Sequence, residues 1–257
     1  HEIHIRFDTL DFWDILIENF ETALNDRTLE KEYLPASISI DGDTLDTVGV
    51  RIKGFFSAWG SSTKKKPLKV DINKFNPDQE YNGLQKFNLQ NSFEDPSSMR
   101  DMLAYNIFNT AGIHASRSSY ARVYLNDEFW GLYVLVEQVD KTFLGERFGF
   151  DEGNLYKNME AHNLDYQNSV SYYKQFFDLK TNEAEDDWSR FLEFTGVLNS
   201  IGLSNQQYES EITKIFEVDK FLKTLAIDVL LLNWDSYYEH GRNYYIYDNP
   251  ANDKFIW

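Results

Sequence analysis

Asp235 and Asn243 are the residues of this chain whose types and spacing best suit a chemical step. Asn233-Trp234-Asp235 closes an apolar segment that reads as a helix over Val218 to Leu232, and Asn243 opens the strand-like run Asn243 to Tyr247. Phosphoryl transfer needs this kind of pairing. A positioned carboxylate orients the attacking hydroxyl, and oxygen ligands and cations hold the phosphates, because charge stabilisation does most of the work. Asp235 also has a plainer reading, in which it meets a nearby positive group or caps the next turn. His114, His162 and His240 are too dispersed to form a metal site. No G-x-S-x-G elbow, phosphate-binding Walker loop or H-E-x-x-H motif is present.

The elements around these residues follow from periodicity. Ile3 to Phe7 alternates as a strand and Asp11 to Leu24 has helical spacing. Alternation returns at Ala36 to Ile40, Val48 to Lys53 and Pro67 to Ile72, with a polar loop from Gly54 to Lys66. Asp95-Pro96 is a helix start, and that helix carries Met99, Leu103 and Ile107 toward Gly112. Strands are predicted at Ser119 to Leu125 and Trp130 to Glu137, then a short helix over Thr142 to Arg147. The remainder is richer in helix, with predicted helices at Asp187 to Asn199 and Val218 to Leu232. The second of these is apolar nearly all round and reads as buried. A hairpin is predicted over Asn243 to Tyr247 and Lys254 to Trp257. Three strands, a helix, two strands, a connector and a helical half is the element order of a protein kinase with its small lobe first.

Composition sets the outer bounds. The chain has 257 residues, is 42% hydrophobic and 16% aromatic, and carries a net charge of −17. That is enough apolar material for a large core and argues against disorder. The negative field disfavours nucleic acid and anionic membrane, and suits a basic partner or metal cations. With no cysteine, disulfides, zinc–thiolate sites and cysteine nucleophiles are excluded. No apolar run reaches membrane-spanning length; the longest, around Leu230-Leu231-Leu232, is interrupted by Asp228 and Asn233. A first residue other than Met reads as a leader or upstream segment removed.

Several segments, in order along nearly the whole chain, resemble the CotH family of spore-coat and secreted kinases. They are Asn233-Trp234-Asp235-Ser236-Tyr237 with Asn243 to Tyr247, Val48 to Gly54, Lys65 to Val70, Asp95 to Arg100 with Leu103-Ala104-Tyr105, and Gly131 to Glu137 with Val139-Asp140-Lys141 and Phe143-Leu144. The resemblance implies an α+β, two-lobed protein-kinase-like fold, a small mixed β/α lobe over 1–137 followed by a more helical lobe over 138–257, truncated at its C-terminal end. It implies transfer of the γ-phosphate of ATP to Ser or Thr of a protein substrate, basic and Ser-rich, with Mg or Mn. The implied location is extracellular, on a cell or spore surface.

The roles that the resemblance implies are specific. Asp235 is the catalytic residue and Asn243 a metal ligand. Lys69 meets the α/β-phosphates, with Arg51, Lys53 and Ser57 as further nucleotide-binding residues beside the loop Gly54 to Ser62. Glu137 and its neighbours lie beside adenine, Arg100 faces the cleft or locks the lobes, and Asp101 is the acid adjacent to Lys69. Two departures stand out. Asp235 and Asn243 are eight positions apart, more than the usual family spacing, and the family's second metal-binding Asp falls after the Lys254 to Trp257 strand, where this chain ends. Two alternatives therefore stay open, a catalytically inactive scaffold or adhesion module and, more remotely, a carbohydrate-binding protein using Tyr237, Tyr238, Tyr244, Tyr245 and Tyr247. Alternation within 244 to 247 fits core packing better than a sugar platform, and Lys64-Lys65-Lys66 reads as a solvated loop.

Overall fold

The computed structural model describes residues 1–26 and 29–257, in two compact units: His1–Asn106 with Ala115–Gln138, and Ile107–His114 with Val139–Trp257. The first contains β1 (Glu2–Arg6), α1 (Phe12–Asn25), β2 (Leu34–Ile40), β3 (Asp43–Ile52), α2 (Phe56–Trp59), β4 (Leu68–Asp71), β5 (Lys86–Gln90), the first turns of α3 (Arg100–Thr110), β6 (Ser118–Leu125) and β7 (Glu128–Glu137).

The expected two-lobed protein-kinase-like fold is not observed. Among the described residues, seven strands close into a barrel in the order β1-β2-β3-β4-β5-β7-β6. Two features bring this about. β1 pairs antiparallel with β2 and parallel with β6, Ile3 lying opposite Val123 and Ile5 opposite Leu125, so no edge remains. β5, which the sequence reading passed over, then joins β4 to β7. Ile3, Ile5, Val48, Val50, Leu68, Val70, Leu89 and Val123 fill the interior, every second residue of their strands. α1 presents Phe12, Leu16 and Phe20 to the same core, at the four-residue spacing of one helical face.

α3 starts at Arg100 rather than directly after Pro96. Asp95, buried, accepts from the Arg100 and Ser97 amides and from the Ser97 hydroxyl, so the turn it caps comes first. These bonds hold its carboxyl below the ordinary range even though burial pushes the other way.

The second unit contains α4 (Lys141–Phe148), β8 (Leu155–Asn158), α5 (Val170–Tyr173), β9 (Phe177–Leu179), α6 (Ser189–Leu198), α7 (Asn205–Ile215), α8 (Val218–Leu230), α9 (Tyr237–His240), β10 (Tyr245–Asn249) and β11 (Lys254–Ile256). Its antiparallel sheet runs β11-β10-β8-β9. Aromatic rings dominate the core: Phe194 stacks on Phe255 with centroids 4.6 Å apart, and Tyr244 on Trp257 at 4.4 Å. α8 is not buried all round as its sequence suggests. Thr224, Ile227 and Asp228 are its buried residues, while Leu222, Val229 and Leu230 face outward.

Candidate functional site

In the second unit, α8 ends in a left-handed turn. Leu232, at φ 53°, donates its amide to the Val229 carbonyl over 3.2 Å, and Asn233 donates to the Asp228 carbonyl over 2.9 Å. The chain then emerges through Trp234 and Asp235, both exposed, to the buried Ser236 and the single turn of α9. Gly241, also left-handed, ends that turn and turns the chain toward Asn243.

Asp235 and Asn243 meet here. The Asn243 amide Nδ2 donates to the Asp235 backbone carbonyl over 2.7 Å. Asn243 sits at φ 59°, a conformation that Asn tolerates better than most residues. This bond is to the backbone of Asp235, a residue exposed to solvent. The far side of the loop is held by the segment after β8. The His162 amide donates to the Gly241 carbonyl (2.9 Å), the Tyr244 hydroxyl to the His162 carbonyl (2.9 Å) and the Tyr237 hydroxyl to the Asn163 carbonyl (3.2 Å). Tyr244 and Tyr247 are buried, so these tyrosines serve packing rather than an open platform, while Tyr238 is exposed.

One acid of this region was missed in the sequence, where it registered only as an interruption of an apolar run. Asp228 is 5% exposed, and its carboxylate accepts from Asn233 Nδ2 over 2.7 Å. Burial raises its pKa, while Asn233 and the nearby Ser236 hydroxyl favour the ionised form, the latter without a hydrogen bond of regular geometry.

The first unit carries two of the predicted nucleotide residues side by side on its barrel strands. Arg51 on β3 lies opposite Lys69 on β4, which lies opposite Asn88 on β5. The Arg51 guanidinium lies over the Tyr33 ring and donates to the Ile52 carbonyl, and its Nε is buried with no hydrogen-bond partner. The Asn88 Oδ1 is likewise buried and unpaired. Lys53 follows β3, and it is the cation whose field acts on Asp101, a carboxyl that burial raises.

The loop after Lys53 is built rather than loose. Asn91, buried, donates from Nδ2 to the carbonyls of Ser57 (2.9 Å) and Lys65 (3.0 Å). Lys66 Nζ donates to the carbonyls of Ala58 (2.7 Å) and Ser61 (2.6 Å), and Lys65 Nζ lies over the Tyr133 ring. Burial lowers the pKa of both lysines. Only Lys64 of the three behaves as the solvated lysine expected of the run. Ser57 thus contributes its backbone to the clamp, while Phe55, Phe56 and Trp59 are exposed beside it.

Glu137 is placed apart from that row, opposite Phe87. Its carboxylate, 3% exposed, accepts from the Arg117 backbone amide (2.9 Å) and guanidinium (2.6 Å). That ion pair occupies the side chain. The Arg100 guanidinium turns back on its own loop, donating to the Glu94 carbonyl.

Residues 50–257 match the family model described as CotH kinase protein. The chain belongs to the CotH family. It is 26% identical over 180 residues to Inner spore coat protein H of Bacillus subtilis, covering 68% of this chain and 48% of that protein. It is 20% identical over 175 residues to Invasin CotH2 of Rhizopus delemar, covering 65% of this chain and 30% of that protein. Spore coat protein homolog 1 of the same fungus is 21% identical over 163 residues, or 61% of this chain and 26% of that protein. This CotH-family chain therefore spans about half the length of the bacterial relative and less than a third of the fungal ones. Among the described residues, no helix is long and apolar enough to cross a membrane.

Proposed function

We propose that this chain transfers the γ-phosphate of ATP to a serine or threonine hydroxyl of a protein, with Asp235 as the catalytic residue. The observation that carries the reading is the pairing of the exposed Asp235 with Asn243 on one anchored loop of a chain whose family is described as a kinase. The Asp235 carboxylate orients the acceptor hydroxyl and takes its proton as the new O–P bond forms and the bond from the γ-phosphorus to the bridging oxygen of ADP breaks. Lys69, Arg51 and Lys53 supply positive charge for the phosphates; Glu137 contributes backbone rather than its side chain beside adenine.

The residues fit a magnesium or manganese ion of the kind that takes few protein ligands. Among the described residues no group of three or more His, Asp or Glu is placed to hold a metal by itself. Asn243 Oδ1, the oxygen of the amide whose nitrogen bonds Asp235 O, is a hard donor of the right type and would hold such an ion together with phosphate oxygens. Bound there, the ion would neutralise phosphate charge. The net charge of −17 suits a basic, serine-containing acceptor. The names of the relatives favour a location at a cell or spore surface, and they also favour a second reading, a coat or adhesion module without catalysis.

The test uses the full-length gene product, ATP with Mg or Mn, and protamine as a basic serine-containing acceptor. Asp235→Asn should lower transfer by a factor on the order of 10² to 10⁴, as for loss of a general base. Because the Asp235 side chain is exposed, melting temperature should hold. A stable Asp235→Asn protein with near-normal transfer removes Asp235 from the reaction. Absence of transfer by the unsubstituted protein favours the coat or adhesion reading.

A further inference from the structure

Asp228 holds the chain just before Trp234 and Asp235, and the buried Ser236 just after them lies near its carboxylate. Its backbone carbonyl accepts the Asn233 amide (2.9 Å), its carboxylate accepts the Asn233 side-chain amide (2.7 Å), and the buried Ser236 hydroxyl lies beside the same carboxylate. The residue before the Trp234-Asp235 pair is therefore tied to one buried group by two hydrogen bonds. Stability alone gives little reason for an acid here. Asp228 lies in the last turn of α8, where the helix dipole disfavours negative charge. Burial adds a desolvation cost. The turn that follows is also strained, since Leu232 is a bulky residue in the left-handed region with its side chain 79% exposed. Strain of this kind persists where surrounding contacts over-determine the backbone, and the two bonds to Asn233 supply them.

We propose that Asp228 is the positioning residue for Asp235: by fixing Asn233 through two hydrogen bonds it sets the direction in which the Asp235 carboxylate leaves the loop. This rests on the phosphoryl-transfer reading for its catalytic consequence, though not for the loop geometry. Asn243 bonds the Asp235 carbonyl from the other side, so releasing the Asp228 end leaves the loop attached but free to swing.

The test compares Asp228→Ala, Asp228→Asn, Asn233→Ala and the Asp228→Ala/Asn233→Ala pair in the full-length protein, with ATP, Mg and protamine. Loss of alignment without loss of nucleotide contacts should lower kcat roughly 10- to 100-fold in Asp228→Ala while leaving the KM for ATP within about twofold. Asp228→Asn keeps an oxygen acceptor for Asn233 and should recover most of that loss. Should Asp228→Ala fail to fold, Asn233→Ala breaks the same bond from its exposed end. The double variant should cost no more than the worse single, because both remove one interaction. Hydrogen exchange over 233–243 should rise about tenfold in Asp228→Ala while α6 stays protected, and this readout stands even if the unsubstituted protein transfers no phosphate. Unchanged exchange over 233–243, or strictly additive kcat losses, overturns the proposal.

Discussion

Gly153 lies just before β8, where two backbones approach too closely for any side chain. A Cβ built on Gly153 would stand 2.0 Å from the Asp248 carbonyl oxygen, 2.8 Å from the Tyr247 ring and 2.9 Å from Pro250. A carbon–oxygen contact needs about 3.3 Å, so Gly153→Ala must part the two chains by roughly 1.3 Å. Two hydrogen bonds oppose that movement. The Asp248 amide donates to Asn154 O over 2.9 Å, and the Thr181 hydroxyl donates to Gly153 O over 2.7 Å. Opening the first by such a distance breaks it, at about 1 kcal/mol, and overpacking adds about 1–3 kcal/mol, for a total of roughly 2–4 kcal/mol. At about 2–4 °C per kcal/mol for a chain of this size, the melting temperature should fall by roughly 5–15 °C. Gly145→Ala is the matched contrast. It lies within α4, its nearest outside neighbour is Asp151 Cβ at 4.0 Å, and alanine there should add about 0.5–1 kcal/mol. Calorimetry on both variants tests the argument. A Gly153→Ala protein that melts within about 2 °C of the unsubstituted one, or below which Gly145→Ala falls, refutes it.

Lys66→Met should destabilise the first unit by about 1–3 kcal/mol, since two carbonyls lose a charged donor, and should raise proteolytic cleavage between Ala58 and Ser61; unchanged cleavage there counts against the clamp. Acid sensitivity should trace in part to His162, whose Nδ1 accepts from the Leu164 amide and whose pKa burial lowers against the pull of Asp165. The unfolded chain then takes up the proton first, so this ring's share of stability is complete above about pH 6.5 and is lost as pH falls from there toward the folded-state value. His114, lowered by burial with Lys220 and Arg147, acts in the same sense. Between about pH 7.5 and 5.5 the melting temperature of His162→Gln should therefore fall less than that of the unsubstituted protein, and an equal or larger fall contradicts the assignment.

Much of the molecule is local and was legible as such. Alternation marked β2, β3, β4, β6, β7 and β10, and the four-residue spacing of Phe12, Leu16 and Phe20 marked α1, because side-chain direction follows backbone period. The family was legible from short ordered segments spread over most of the chain. The closeness of Asp235 to Asn243 followed from a helix end and a strand start only eight residues apart. Lys86 to Gln90 carries the same alternation, although no strand is predicted there.

What only the tertiary structure decided depends on partners far away in the chain. Barrel closure rests on Glu2 to Ile5 pairing with Arg122 to Leu125, and nothing in either segment encodes the other. A parallel pair of that separation leaves no hairpin signature, and this is why the element order suggested a different fold. Lys66 looked like one of three solvated lysines until the fold set two carbonyls around it. Asp228 looked like an interruption in an apolar helix, and α8 looked buried because its residues are apolar. Apolar composition states what a helix can bury; the neighbours it receives decide which face is covered, and they turned Asp228 inward against Asn233 while leaving Leu222, Val229 and Leu230 outside.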